Sequence, residues 1–424
     1  MTMVKKLFTF LSLFVSIIVV SIPALADNSG GSGYSRFGIG DISYFNTARA
    51  MGMGGASIGV LSTNSIDRLN PAAWGRINRT RFSFGAMYEG YSTTDDVNSA
   101  FLSKTHFNGF MLALPLSVEH GLVFSAGFTP YSRVNYNIIT PLSQSGLDYT
   151  LQYLGEGGLS LAHIGLSGKL GNDIFLGTKF NYYFGTIRHT VSQTFSSTDF
   201  TTSQALSSTQ LNGVGVTFGA IYTGLKNVFN IGETNAFNLG VVVSTTSYLT
   251  AQDERIQTYN LSTVTSRDTS SLPEGKIRLP FSVGAGLSYL SDRIMIAGDF
   301  YYQHWDQFTV NGVKPAEIRD SYRFGGGAEI LPKRDINAPF TQRIAYRFGV
   351  YYNASYYQIK GEPINELGFT GGFGIPVLGD TRLGIAAEYG FRGTTNLGLL
   401  KDKILRVSFT LSISELWFIR PEEE

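Results

Sequence analysis

The sequence predicts an all-β fold: a transmembrane antiparallel β-barrel of about fourteen strands, with an N-terminal plug, or hatch, in its lumen. Three observations predict it. Near its end the chain runs Leu405, Val407, Phe409, Leu411 and Ile413 in strict alternation with Arg406, Ser408, Thr410, Ser412 and Ser414. Successive side chains of a strand point to opposite faces, so this ribbon is apolar on one side and polar on the other. The same period recurs from residue 81 onward, behind an export leader. Long and short connections alternate between the periodic segments, as in bacterial outer-membrane barrels.

Residues 1–26 read as a signal peptide. Lys5 and Lys6 form its positive region, residues 7–22 its apolar core, and Ala24-Leu25-Ala26 a small-residue cleavage site before Asp27. The apolar run is of borderline length for an anchor; the cleavage site and the Gly/Ser-rich stretch 28–35 favour removal. No later apolar run approaches the roughly 20 residues of a membrane helix.

Residues 27–80 form the plug segment. They break the strand period, with small residues at 48–56 and helix-capping and turn residues at 64–74. A piece this short makes no core of its own, and its place before the first strand suits a fold inside the lumen.

Residues 81–416 carry fourteen candidate strands: 81–91, 106–116, 121–132, 159–170, 174–185, 211–222, 237–248, 277–289, 294–305, 320–331, 343–353, 366–376, 381–391 and 402–413. Six connections are long (92–105, 133–158, 186–210, 249–276, 306–319 and 354–365). Several of the others are tight turns, at 117–120, 171–173, 291–293 and 377–380. An even count returns both ends to the periplasm. Residues 417–424 form a tail of unassigned role.

Composition agrees. The 424 residues include 49 glycines, 23 tyrosines and 31 phenylalanines with only 15% charged residues, which suits a curved sheet with aromatic girdles. A net charge of +1 gives no ground for a nucleic-acid partner, and the absence of cysteine removes disulfides and thiolate metal sites. On the polar faces glycine accompanies isolated charges, Lys179, Asp299, Arg323, Glu329, Arg347, Arg382, Glu388 and Arg406. A soluble β-sandwich would present a denser charged surface to water. Charges in a narrow lumen are costly unless paired, so these residues either pair across strands or line a permeation path.

The stretch Ala48-Arg49-Ala50-Met51-Gly52-Met53-Gly54-Gly55-Ala56, followed by Asn70-Pro71-Ala72, resembles the N-terminal hatch of the FadL-type outer-membrane transporters of hydrophobic compounds. The resemblance continues through Leu114-Pro115-Leu116 and residues 121–131. Ala73 and Tyr131-Ser132 depart from the family pattern. PorV-like type IX secretion barrels share this superfamily and a similar glycine-rich stretch. The resemblance implies a fourteen-stranded barrel, a hatch turn at Asn70, Pro71 and Ala72, and a kinked third strand at Pro130 acting as a lateral gate. Read from the residues alone, Pro130 either bends the wall or simply ends a strand. Asn-Pro also favours ordinary turns.

Two functions follow as expectations. The first is passive uptake of hydrophobic compounds, such as long-chain fatty acids or hydrocarbons, by loop capture, hatch rearrangement and lateral release. The second is a secretion or surface-attachment role for exported proteins. A continuous apolar tunnel supports the first; a lumen filled by charges and tyrosines counts against it. Expected partners are outer-membrane lipid, a hydrophobic small molecule, the barrel-assembly machinery during biogenesis and, in the second reading, a secreted protein. No cofactor, metal or catalytic site is expected, because the five histidines show no ligand spacing and Asp95-Asp96 reads as a loop tip.

Overall fold

A computed structural model describes residues 30–415 apart from 145, 198–199, 233–234, 262–263, 334 and 336. The leader and the tail lie outside the described residues. Fourteen antiparallel strands close into a barrel. The first, Thr80–Thr94, pairs with the last, Lys401–Glu415, from Thr80↔Glu415 to Thr94↔Lys401. Closure removes every sheet edge at that seam, which a strand in hydrocarbon requires.

Between these two run Ser99–Ser117 (second), Leu147–Leu170 (fourth), Ile174–Phe195 (fifth) and Ser203–Tyr222 (sixth). Ser282–Ser291, Ile294–Gln303, Ser321–Ile330, Ala345–Ile359, Glu362–Leu378 and Thr381–Gly393 are the membrane parts of the eighth to thirteenth. The third is broken into Leu122–Pro130 and Ser132–Gln144, and the seventh into Ala236–Ser244 and Ser247–Leu261. All fourteen periodic segments of the sequence coincide with wall strands. The period decides the faces. Phe107, Ile164, Phe180, Phe218, Phe324, Phe348 and Phe369 are exposed on the outside, whereas Lys179, Asp299, Arg323, Glu329, Arg347, Glu388 and Arg406 are buried inside.

The long connections differ from the expected loops. Residues 133–158, 186–210 and 249–276 are largely extended ladder: the fourth and fifth strands stay paired from Leu170↔Ile174 to Tyr149↔Phe195. The fourth, fifth and sixth strands hold 24, 22 and 20 residues, against 10 each in Ser282–Ser291, Ile294–Gln303 and Ser321–Ile330. A bilayer needs about 9–11 residues of strand. One side of the barrel therefore stands well above the membrane and the other barely clears it. Leu147, Tyr149, Leu151 and Tyr153 sit in this tall ladder, paired with Gln144, Leu142, Thr140 and Ile138. The period-2 signal is weak there because both faces meet water.

Residues 30–79 lie inside the wall. Their regular pieces are short: a helix at Ala48–Gly52, capped by the Thr47 hydroxyl accepting from the Ala50 amide, and a 3-10 turn at Pro71–Arg76. Wall glycines make room for the plug backbone. A Cβ on Gly240 would lie 2.1 Å from the Ile58 carbonyl oxygen, one on Gly325 2.4 Å from that of Gly54, and one on Gly349 2.3 Å from the Gly54 nitrogen. At the outer end Tyr34, Ile39, Trp305, Phe308, Tyr356, Tyr357 and Leu399 form an apolar cluster, with Trp305 stacked on Tyr356 at 4.0 Å.

Candidate functional site

Three constellations place the residues singled out from the sequence. The first is the hatch turn. Asn70 caps the turn that Pro71 opens, a position where the missing proline N–H costs nothing. The Asn70 Oδ1 accepts from the Ala72 amide at 3.0 Å, and Nδ2 donates to the carbonyls of Ile58 at 2.8 Å and Ala220 at 3.4 Å. Beneath the motif lies a cross-strand glycine pair, Gly177↔Gly219. A Cβ on Gly219 would sit 2.0 Å from Asn70 Oδ1, and one on Gly177 2.4 Å from the Pro71 carbonyl carbon. Asp67 precedes the turn. Burial raises its carboxyl above the ordinary range, against hydrogen bonds from the Ser57 hydroxyl and the Asn70 and Leu69 amides. Asn70→Ala is expected to cost about 1–2 kcal/mol as a lost cap. The temperature at which the folded band disappears on a semi-native gel measures it, with Asn70→Asp intermediate.

The second is the break in the third strand. The ladder with the second strand runs from Ser117↔Leu122 to Phe110↔Phe128. Beyond Pro130, the piece Ser132–Gln144 pairs with the fourth strand and with the plug residues Asp41 and Ile42. Between Pro130↔Ser160 and Val134↔Gly157, three residues of the third strand face two of the fourth, which is a β-bulge. Gly157 and Gly158 supply it with φ of +101° and +133°. Pro130 lacks the N–H that would continue the ladder. The Tyr131 carbonyl instead accepts from the plug's Ser43 amide at 2.9 Å.

The third is the set of interior charges, which divides in two. One group holds the plug. Lys179 donates to the Arg68 carbonyl. Asp299 accepts from the Ser57 and Ile58 amides at 2.6 and 2.8 Å, and Arg323 donates to the Gly54 carbonyl at 2.8 Å. Glu329 joins Arg49 of the plug, at 2.7 Å, to Arg347 of the wall, at 2.8 Å. Arg382 lines the small cavity beside this pair. The other group locks strands together: Arg406 reaches Glu388 at 2.5 Å, Glu366 at 2.8 Å and Glu89 at 3.1 Å. The Tyr351 hydroxyl lies 2.5 Å from both Glu366 and Glu388, and its single proton serves one of these contacts.

Sequence reasoning missed Glu89, Arg133, Glu366, Arg392 and Asp402. Arg392 bonds Asp402 at 3.1 Å and the plug's Asp41 at 2.9 Å, and Arg133 faces Glu89 at 3.4 Å. Burial pushes the Asp41 carboxyl up, opposed first by Arg392. Strand parity was the available signal: Glu366 and Arg392 share a parity with their inward neighbours but stand at the first position of one expected strand and just past the end of another.

Two small cavities inside the barrel are lined by charged groups together with apolar and aromatic side chains. One cavity of about 50 Å³ is lined by Asp41, Glu89, Arg133, Glu366, Arg392 and Arg406. Another of about 80 Å³, near the periplasmic rim, is lined by Arg49, Glu329, Arg347 and Arg382. Each has room for a few waters.

The BamG family model matches residues 3–422. The chain belongs to the BamG family. A comparison with curated protein sequences finds no match. This BamG-family barrel is similar in fold to the CymD monoaromatic hydrocarbon channel, with a TM-score of 0.57 and 14% identity over 90% of this chain and 99% of that one. It is likewise similar to the toluene transporter TodX of Pseudomonas putida (0.55, 16%, 89% and 99%) and to a FadL homologue of Pseudomonas aeruginosa (0.55, 13%, 86% and 97%). This chain thus shares the fold of an outer-membrane barrel with these channels.

Proposed function

We propose that this barrel serves as an outer-membrane secretion or surface-attachment partner for exported proteins, acting at its rim and outer surface. The observation that supports this reading is the interior. A plug pinned by Asp299, Arg323 and Glu329, a carboxylate network gathered by Arg406, and an apolar outer cluster fill the lumen. The two cavities between them are small, and buried charges stand on the walls of each. The tall ladder of the fourth to sixth strands offers a protein-sized surface on one side instead.

Hydrophobic uptake is the second reading. The bulge after Pro130, and the fold shared with a monoaromatic hydrocarbon channel and a toluene transporter, favour it. It requires the plug's Asp41–Ile42 pairing to leave the third strand. One experiment separates the two. The tagged protein is purified from its native membrane in mild detergent, as wild type and with the hairpin extension 190–206 shortened. The same protein is reconstituted in liposomes with labelled toluene or a long-chain fatty acid. Stoichiometric exported partners that disappear with the shortened hairpin, and uptake no faster than into empty liposomes, are expected. Uptake above empty liposomes that falls in Pro130→Ala would overturn the partner reading and establish lateral transport.

A further inference from the structure

Glycines occur on both faces of the wall, and only the inward ones are explained by the plug. Gly298 of the ninth strand and Gly326 of the tenth are direct cross-strand partners and point outward. A Cβ on Gly298 would meet nothing nearer than the Gly325 carbonyl oxygen at 3.8 Å, and one on Gly326 nothing nearer than that of Ala297 at 3.6 Å. Nothing among the described residues requires those side chains to be missing. Glycine inside a strand weakens it and often marks a close approach by a ligand or another backbone. Here the pair opens a concavity of about 610 Å³ in the outer face, rimmed by Leu287, Phe300, Phe324 and Val350.

We propose that this concavity is a fixed binding site for the acyl chain of an outer-membrane lipid. Three observations favour that occupant. Gly298 and Gly326 lie mid-way along ten-residue strands, at the depth where the surroundings are hydrocarbon. The rim is apolar and aromatic, and among its outward-facing residues the Tyr352 hydroxyl alone could hydrogen-bond, too little to satisfy a polypeptide. Fourteen residues line the concavity, and Gly286, Asp299, Gly325 and Tyr351 among them point inward. A stable protein interface takes roughly 20–30 residues a side, so a second chain is poorly served, whereas a single extended chain fits. The space is several times the roughly 150 Å³ that holds a benzene ring.

The test uses the full chain in phosphatidylethanolamine vesicles containing a phosphatidylcholine with a diazirine mid-way along one acyl chain. After photolysis, adducts are mapped by peptide mass spectrometry. Adducts concentrated on 285–303 and 321–330 are expected, falling at least five-fold in Gly298→Leu/Gly326→Leu. Gly168→Leu, which fills another outward glycine with open surroundings, leaves the yield at 285–330 unchanged. Where the leucine pair fails to fold, the alanine pair lowers the yield about two-fold. Adducts spread evenly around the wall, a yield unchanged by the substitutions, or a protein cross-linked at this position overturns the proposal.

Discussion

Arg406→Met is expected to destabilise the barrel by about 3–5 kcal/mol, because it strands buried carboxylates that one guanidinium now neutralises. Arg406 meets Glu388, Glu366 and Glu89 within 3.1 Å, and the Glu388 side chain has no exposed surface. Arg392 shares Glu366 at 3.8 Å and is itself engaged by Asp402 and Asp41, so it is poorly placed to take over. The readout is the temperature at which the folded, fast-migrating band is lost in detergent. A substantial fall is expected for Arg406→Met and a smaller one for Arg406→Lys, which keeps the charge without the fork geometry. Adding Glu388→Gln and Glu366→Gln to Arg406→Met is expected to recover part of the loss, since neutral amides tolerate burial better. An unchanged transition in the single variant would show that this network contributes nothing to the wall.

The second large effect is expected from Gly349→Val. A Cβ there stands 2.3 Å from the Gly54 nitrogen and 2.5 Å from the Met53 carbonyl carbon, both backbone atoms. Neither can swing aside as a side chain would. Overpacking of this kind costs about 1–3 kcal/mol, and here the strain falls on the contact between plug and wall. The expected result is a folded barrel with a displaced plug: trypsin cleaves at Arg49 or Arg68 in the refolded protein, and planar bilayers show conductance that wild type lacks. Gly371→Val is the comparison, because its Cβ meets only the Arg347 carbonyl oxygen at 3.8 Å. Equal protection and silence in Gly349→Val would mean that the plug is not held by this fit.

The wall was legible because membrane and lumen impose opposite polarities on alternate residues, so expected strands such as 343–353 and 402–413 announce both their period and their inward face. The ladder above the membrane was not. Where Ser192 pairs with Gln204 and Gln257 with Ala205, neither face is buried, the period fades, and an extended hairpin reads as a loop. The hatch turn could be located from Asn70, Pro71 and Ala72, but its seat on Gly177 and Gly219 depends on pairing between distant strands. The bulge at Tyr131 was half visible. Pro130 marks where the ladder stops, while Gly157-Gly158, which adopt the positive φ angles opposite it, carried no strand signal of their own. Interior charges were found where they sat mid-strand, as Lys179, Arg347 and Arg406 do, and overlooked at strand ends, as at Asp402.

The glycines beneath the plug make wall and plug a matched casting. Gly177, Gly219, Gly240, Gly325 and Gly349 record, in five separate strands, the course of a chain segment encoded before any of them. A plug from another barrel, even one of the same length, would meet hollows in the wrong places and carboxylates aimed at amides it does not present. Conversely, a wall taken without its plug would keep a line of side-chain-free positions facing nothing. The two parts are therefore not interchangeable modules: chimeras cut at residue 80 inherit half of a lock.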